Sequence, residues 1–241
     1  MAQQRAALVT GASRGLGLVI ARVLAERGHG LVVGGRDIEA LAAAAEQLSR
    51  RAPAVEPVAG DVTDPAVRAK LIEAAQRLGG LDVLVNNASE LGPIGPLRTF
   101  DVPRFGRLFP VNVGAPLLLT QMALPLLAER RGLIVNITSD AATGAYPGWG
   151  PYGATKAALE LLTRTLAAEL REAGVSAVLV DPGDLRTRLQ QEAYPGEDIS
   201  DRPLPEITVP FWNWLFDQPP DAISGERFAA QQTDARWLQQ V

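Results

Sequence analysis

Residues 6–28 read A-A-L-V-T-G-A-S-R-G-L-G-L-V-I-A-R-V-L-A-E-R-G, an apolar run, a glycine-rich turn and a longer apolar run. The first run, 6–9, is typical of a short buried strand that ends at Thr10. The second run predicts a helix that Gly28 closes, because glycine readily takes the backbone conformation found after a helix. A strand that enters a helix through such a turn begins a β-α-β unit, so this stretch predicts an α/β fold.

The glycine turn, T-G-A-S-R-G-L-G, predicts a phosphate-binding site. Gly11, Gly15 and Gly17 let the backbone bend tightly and come close to a pyrophosphate, and the following helix adds amide donors and a positive dipole. The spacing is G-x-x-x-G-x-G rather than the G-x-G-x-x-G of most dinucleotide enzymes. The alternative is a glycine-rich connection without a ligand, and the β-α-β pattern around the turn makes that alternative the weaker one.

Outward from this unit, strand-like and helix-like runs alternate to the C-terminus. Strands are predicted at 30–34, 54–60, 81–85, 132–138 and 175–180, with a last one inside G-E-R-F-A-A at 225–230. Helices are predicted at 38–51, from Asp64 onward, at about 101–130 and at 150–173, with breaks or kinks at Pro110, Pro116 and Pro125. This alternation indicates a doubly wound parallel sheet with helices on both faces. No linker or repeat is visible, so we expect a single domain over 1–241, with a substrate-loop region at about 184–215.

Composition excludes several classes of function. The net charge of -4 comes without any Lys/Arg block, so neither nucleic acid nor an anionic membrane is expected as a partner. The chain has no Cys and one His, His29, which we expect at the surface near a helix end; no metal site is predicted. No apolar run approaches the roughly 20 residues of a membrane span, and M-A-Q-Q-R runs straight into a strand. The expected location is the cytoplasm.

Tyr152 and Lys156 form a second motif, Y-x-x-x-K, at the start of an apolar helical run. A spacing of four residues places both side chains on one helix face. A free Tyr has a pKa of about 10, and a fixed ammonium beside it lowers that pKa, so the pair can make a general acid/base. Ser139 follows an apolar run and can present a hydroxyl at a strand end. The alternative is a solvated Lys one turn after a half-buried Tyr.

Together these motifs resemble the short-chain dehydrogenase/reductase family. The chain carries T-G-A-S-R-G-L-G, N-N-A-S at 86–89, Asn112, Ser139, Y-G-A-T-K at 152–156 and D-P-G at 181–183, in the order of that family. The resemblance implies a single Rossmann-type domain with a seven-stranded parallel sheet, a nicotinamide cofactor and hydride exchange between a carbonyl and an alcohol. It also implies a homodimer or homotetramer, and the helix at 150–173 has a second apolar face that suits such an interface.

The resemblance assigns roles to individual residues. Tyr152 is expected as the acid/base, Lys156 as the residue that lowers its pKa and holds the nicotinamide ribose, Ser139 as the substrate-orienting hydroxyl and Asn112 as support for a proton relay. Besides Tyr152 and Lys156, the expected cofactor contacts are Gly11, Ser13, Arg14, Gly15, Leu16, Gly17, Arg36, Asp61, Val62, Asn87, Ala88, Pro182, Gly183, Leu185 and Thr187. Two positions depart from the family pattern: Ser89 replaces a glycine, and Asp181 stands where Asn is more common.

Cofactor choice is predicted to favour NADPH over NADH. A carboxylate after the second strand would bind a ribose hydroxyl and repel a 2′-phosphate, but this chain has Gly35 and Arg36 there. Arg14 approaches the same position from the glycine turn, and guanidinium groups suit phosphate. Asp37 is expected to cap the next helix, and the alternative is that it binds the ribose.

The predicted function is an NADPH-dependent carbonyl reductase or alcohol dehydrogenase. A 3-oxoacyl thioester reductase and a non-catalytic cofactor-binding regulatory protein are the alternatives. We expect the substrate pocket in loops 90–98, 140–149 and 184–215, and an apolar or ring-bearing substrate. Candidate wall residues are Leu91, Ile94, Tyr146, Trp149, Tyr194 and Trp212, although core packing is favoured for Trp212 and Trp214.

Overall fold

A computed structural model describes residues 4–232, except for the side chains of Val102 and Arg104. Its centre is a sheet in the order β3-β2-β1-β4-β5-β6-β7, in which every neighbouring pair is parallel. The strands are β1 (Ala6–Thr10), β2 (Gly30–Gly35), β3 (Val55–Ala59), β4 (Val83–Asn86), β5 (Leu133–Ile137), β6 (Ser176–Asp181) and β7 (Arg227–Ala229). The predicted seven-stranded, doubly wound α/β architecture is confirmed.

Helices cover both faces of this sheet. They are α1 (Gly15–Glu26), α2 (Ile38–Ser49), α3 (Pro65–Arg77), α4 (Val102–Phe109), α5 (Ala115–Arg130), α6 (Gly150–Glu169), α7 (Arg188–Ala193), α8 (Val209–Asp217) and α9 (Pro220–Ile223). The caps follow the sequence: Asp37 accepts from the Ala40 amide at 3.0 Å, and Asp64 accepts from the Ala66 amide at 2.8 Å. These carboxylates satisfy amides that a helix start leaves without intrahelical partners.

Alternate residues of each strand feed two separate cores, because successive strand side chains point to opposite faces. On one face, Val9 and Val33 pack with residues of α1, α2 and α8. On the other face, Leu8 and Val32 pack with residues of α3 and α5. The strand order reverses between β1 and β4, and a crevice at the carboxyl ends of the strands is where this fold places its ligands.

The stretch 102–130 is helical throughout but changes its hydrogen bonding once. The α-helix α4 gives way at Pro110 to a π-helical turn, Pro110–Gly114, and α5 then continues to Arg130. Of the break or kink expected at Pro125, the break is absent, since α5 runs through this residue. By length and composition alone, Phe105–Arg130 is long and apolar enough to cross a membrane, which corrects the expectation that no apolar run approaches such a span. Half of its most apolar window is buried, and one such helix is weak evidence of a span, because the core helix of a soluble protein passes the same test.

Two further expectations need correction. His29 is buried rather than at the surface: its Nδ1 lies 3.1 Å from the carbonyl oxygen of Leu24, and burial lowers the pKa of its imidazole. The predicted loop region also ends in a core helix, α8. Trp212 on α8 is completely buried, and its indole N–H donates to Thr208 at 2.9 Å. Packing is therefore the correct interpretation for Trp212, and it forms no pocket wall.

Candidate active site

A cleft of about 910 Å³ opens along the carboxyl edge of the sheet. The glycine turn, the ends of β2, β5 and β6, the first turns of α6 and the segment after β6 all contribute to its lining. Every residue predicted to contact the cofactor, together with Ser139, borders this cleft. Asn112 does not border it and is almost completely buried behind it.

The glycine turn is held tightly to the neighbouring strand end. Gly11 and Gly15 have φ angles of +66° and +57°, which L side chains rarely adopt. A Cβ on Gly17 would lie 2.3 Å from the Gly11 carbonyl oxygen, so only glycine fits there. The Asn87 side-chain amide donates to the carbonyl oxygens of Thr10 at 2.9 Å and Gly11 at 3.1 Å. Asn87 thus locks the turn to the end of β4.

The first turn of α1 fits a phosphate group. Unlike α2 and α3, which aspartates cap, α1 has Arg14 at its N-cap position and no side-chain cap on its amides. Uncapped amides at a helix start, together with the helix dipole, favour an anion. The donor set and the space beside it therefore match the pyrophosphate of a dinucleotide.

Tyr152 and Lys156 are both buried on the first turns of α6, with 7% and 2% of their surfaces exposed. The Lys156 ammonium lies 5.5 Å from the centre of the Tyr152 ring and donates to the Ile137 carbonyl oxygen at 2.9 Å. This arrangement rules out the alternative of a solvated Lys beside a half-buried Tyr.

Burial dominates the titration of this pair. It raises the pKa of the Tyr152 phenol above its ordinary value, while hydrogen bonds with Ser89 and Ser139 act in the opposite direction. It also lowers the pKa of Lys156 from 10.5 to about 8, against the charge of Asp181. The predicted lowering of the Tyr152 pKa is therefore outweighed in this structure, because an apolar enclosure disfavours a phenolate.

Ser139 begins the short turn that follows β5. Its hydroxyl donates to the Asp140 carboxylate at 3.0 Å and accepts from the Ala141 amide at 3.2 Å. The other oxygen of the Asp140 carboxylate accepts from the Tyr146 hydroxyl at 2.8 Å. The loop after β5 is thus organised around Asp140, a carboxylate that sequence reasoning missed.

Asn112 joins the loop after β4 to α6. Its amide nitrogen donates to the Glu90 carbonyl oxygen at 2.8 Å and to the Thr155 hydroxyl at 3.0 Å. Its amide oxygen accepts from the Glu90 amide at 2.9 Å and from the Ser89 hydroxyl at 3.1 Å. Ser89, which departs from the family pattern, therefore has a defined place: its hydroxyl interacts with both Asn112 and Tyr152.

The predicted phosphate-selecting arginines both have acidic partners. Arg14 pairs with Asp37, and Arg36 pairs with Glu90 across the cleft. At the end of β3, Asp61 accepts from the amide and the hydroxyl of Thr63 at 2.9 and 2.8 Å, so it shapes a turn as well as bordering the cleft. Glu90 was missed by sequence reasoning; the available signal was its position directly after N-N-A-S.

The candidate wall residues lie elsewhere than expected. None of the six borders the cleft. Leu91 packs against Tyr152 from behind, and the rings of Trp149 and Tyr152 meet edge to face at 6.0 Å. The Arg202 guanidinium covers the Tyr194 ring at 4.8 Å. The lining contributed by the segment after β6 is mixed. It combines acidic and polar residues with two arginines and three apolar residues: Asp184, Gln190, Gln191, Glu192, Glu197, Asp198, Arg186, Arg188, Leu185, Leu189 and Ile199.

A parallel, doubly wound sheet with an anion-binding glycine turn and an adjacent Tyr/Lys/Ser cluster defines a nucleotide-dependent oxidoreductase. The chain matches the family model of the short chain dehydrogenases over residues 5–198. It therefore belongs to the short-chain dehydrogenase/reductase family, whose members use an NAD(P) cofactor. Within residues 4–232, no group of three or more His, Asp or Glu that could hold a metal is present.

Individual relatives agree with this assignment. The chain is 37% identical to 1-deoxy-11-beta-hydroxypentalenate dehydrogenase from Streptomyces exfoliatus, over 78% of this chain and 70% of that protein. It is 34% identical to gluconate 5-dehydrogenase from Gluconobacter oxydans, over 81% and 77%. Among solved structures, a Shigella flexneri short chain dehydrogenase complexed with NADP superposes with a TM-score of 0.86 at 29% identity, covering 95% of this chain and 97% of that one.

The titration of Lys156 gives a first prediction. Because its pKa is lowered to about 8, the ammonium is present below that pH and is lost as the pH rises through it. The Tyr152 phenol, with its raised pKa, stays protonated over the same range. We expect kcat/KM for carbonyl reduction to fall with an apparent pKa near 8. In Lys156→Arg, whose guanidinium stays charged, this fall should disappear. The same fall of kcat/KM at alkaline pH in that variant would show that Lys156 does not cause it.

Proposed function

We propose that this chain is an NADPH-dependent oxidoreductase that exchanges hydride between the nicotinamide and a carbonyl or secondary alcohol, with Tyr152 as acid/base. One observation carries the proposal. The buried side chains of Tyr152 and Lys156 border the same cleft as Ser139 and as the glycine turn, after which the first amides of α1 have no side-chain cap. When bound, the cofactor supplies or accepts the hydride. The chain's own residues then have to hold the substrate oxygen and move a proton to or from it.

Each catalytic residue has a proposed task in carbonyl reduction. Tyr152 donates its proton to the substrate oxygen, and its raised pKa keeps that proton available at neutral pH. Lys156 supplies the positive charge that stabilises the resulting phenolate. Ser139 orients the substrate oxygen. To do so, its hydroxyl gives up the hydrogen bond that it donates to the Asp140 carboxylate and donates to the substrate oxygen instead. Asn112 supports the site by holding the loop after β4 to α6.

The preference for NADPH is proposed from Arg14 and Arg36. Both guanidinium groups are exposed, and exposed ion pairs contribute little, so their pairing with Asp37 and Glu90 leaves them available. A 2′-phosphate displaces these carboxylates because its oxygens accept from the planar guanidinium fork. Asp37 also caps α2 through Ala40, which favours a structural role for it over binding of the ribose.

The substrate proposed is a neutral carbonyl or hydroxyl compound. Three arginines near the substrate end could have attracted an anion, but each has partners within the protein. Arg186 donates to the Ser200 carbonyl oxygen at 2.7 Å, Arg188 pairs with Glu192, and Arg202 pairs with Asp201. The carboxylates of Asp184, Glu197 and Asp198 in this lining disfavour the anionic carrier of a 3-oxoacyl thioester. The complete Tyr/Lys/Ser/Asn set disfavours a purely regulatory protein.

Removal of the Tyr152 hydroxyl tests the reaction. Tyr152→Phe keeps the ring but has no proton to transfer, and positioned proton transfer contributes about 10²- to 10⁴-fold. We expect NADPH-dependent turnover of a ketone and quinone panel to fall by that factor while NADPH binding, measured by fluorescence titration, stays nearly unchanged. Tyr194→Phe, outside the cleft lining, is the control. Activity within a few-fold of wild type in Tyr152→Phe would refute the acid/base assignment.

Substitution of the arginines tests the cofactor preference. A carboxylate at position 35 would crowd Ser13, whose Cβ lies 3.3 Å from a Cβ built on Gly35, so the arginines are the better targets. We expect Arg36→Ala and Arg14→Ala each to lower the ratio of kcat/KM for NADPH to that for NADH by about tenfold. Arg50→Ala, on the far end of α2, should leave the ratio unchanged. Equal use of both cofactors by the wild type would overturn the proposal.

We also propose that the protein is a homodimer or homotetramer built on α5 and α6. Leu118 and Met122 on α5 and Leu161 on α6 are large apolar residues with 43%, 38% and 64% of their surfaces exposed. We expect Leu161→Glu to shift the molar mass from light scattering to that of a smaller species, because a charge would be buried in the interface. Ile38→Glu, an equally exposed site on α2, is the control. A monomeric wild type at micromolar concentration would contradict the proposal.

A further inference from the structure

Asp181 places a buried carboxylate at the end of β6, in the wall of the cleft. Only 7% of its surface is exposed. One carboxylate oxygen accepts from the Gly183 amide at 3.0 Å, and the other accepts from the Arg227 guanidinium at 3.1 Å. Burial raises the pKa of this carboxyl, and the Gly183 amide and the Arg227 guanidinium act against that shift by favouring the charged form. The acid/base chemistry proposed above gives this group no task.

Arg227, on β7, connects Asp181 to the catalytic elements. The same nitrogen that contacts Asp181 donates to the Ser139 carbonyl oxygen at 3.2 Å, and Nε donates to the Glu160 carboxylate at 2.8 Å. Glu160 lies one turn after Lys156 on α6 and also accepts from the Thr138 hydroxyl at 2.9 Å. We call Glu160, Asp181 and Arg227 the Arg227 cluster. It ties the ends of β5 and β6 to the helix that carries Tyr152 and Lys156.

Lys156 is a buried cation next to this cluster. It is 2% exposed, and the neutral Ile137 carbonyl that it contacts belongs to the residue paired with Val180, directly before Asp181. Within the cluster, Arg227 pairs with both carboxylates, and the more exposed Arg164 also pairs with Glu160. Tyr152 on α6, Asp140 after β5 and Asp184 after β6 border the same cleft as Asp181 and Lys156, and the charge of Asp140 raises the pKa of Asp181. Buried charges of opposite sign have to compensate one another, because burying an isolated charge is costly.

We propose that Asp181 is a positioning residue for Lys156: held by Arg227, its carboxylate is the counter-charge of the Lys156 ammonium, and the same guanidinium fixes the Ser139 backbone against α6. This inference rests on the proposed function, since it gives the acid/base pair its charge state and its geometry. The direction of the interaction agrees with it, because the charge of Asp181 raises the pKa of Lys156 against the effect of burial.

Asp181→Asn isolates the charge, because it keeps the size of the side chain and an oxygen that can accept hydrogen bonds. The chain has two lysines, Lys70 and Lys156, so protein labelled at the lysine ε-carbon shows two side-chain signals by NMR. We expect the pKa of Lys156 to move to lower pH in Asp181→Asn, while exposed Lys70 serves as an internal reference. Asp198→Asn, which changes another carboxylate in the cleft wall, should leave the pKa of Lys156 unchanged. An unchanged or higher Lys156 pKa in Asp181→Asn would overturn the proposal.

Kinetics test the second half of the inference. Arg227→Gln should lower kcat by about 10- to 100-fold, the loss expected for hydrogen bonds to charged groups, with KM for NADPH within about twofold of wild type. Arg164→Gln is the matched control: Arg164 pairs with the same Glu160 at 3.2 Å but is exposed and reaches neither strand end. Arg227→Lys keeps the charge without the planar fork and should restore only part of kcat.

The outcomes separate the inference from the proposed function. If the wild type reduces no carbonyl in the panel, the proposed reaction fails, and the NMR titration still decides the role of Asp181. If the wild type is active and Arg227→Gln matches Arg164→Gln in kcat, the positioning role of Arg227 is wrong. If Arg227→Gln does not fold, as judged by circular dichroism and thermal melting, Arg227→Lys and Asp181→Asn carry the same test. In Asp181→Asn, the alkaline limb of kcat/KM should move to lower pH together with the Lys156 signal.

Discussion

The close backbone contact between Gly11 and Gly17 is the constraint on which the rest of the structure depends. Because Gly17 has no Cβ, the start of α1 can lie against the Gly11 carbonyl, directly above the end of β1. This position leaves the first amides of α1 facing the cleft, and it lets Asn87 reach the turn from β4. The central strand, the anion-binding turn and the neighbouring strand end therefore form one rigid unit.

Charge burial is the second organising feature, and it accounts for the chemistry available to the site. Tyr152 and Lys156 are enclosed on α6, so each is shifted toward its neutral form. A phenol that keeps its proton is a suitable donor to a carbonyl, whereas a lysine that tends to lose its charge needs support. That support comes from β6, which follows α6 directly in the chain, and from β7, which is far from α6 in sequence and meets it only in the folded sheet.

The sequence could predict whatever depends on local patterns. Apolar runs placed the strands to within two residues at each end, Asp37 and Asp64 identified two helix caps, and the glycine turn located the cleft. Pairings between distant side chains have no such pattern, so the partners of Arg36 and of Arg227 were missed. Burial is also a property of the whole fold. For that reason the burial of His29 and the raised pKa of Tyr152 differed from the predictions. The segment that forms α8 was likewise predicted as part of a loop region.

The π-helical turn at Pro110–Gly114 changes the direction in which the side chains of a long helix point. A wider turn holds one residue more than an α-helical turn, and each residue of an α-helix advances the direction of its side chain by about 100°. The extra residue allows two parts of the helix to face different directions. Leu119, Ala123 and Leu127 on α5 point into the core, while Asn112 points at the loop after β4. A chain one residue shorter here would have to give up one of these alignments, which makes length, rather than residue type, the constrained quantity in this stretch.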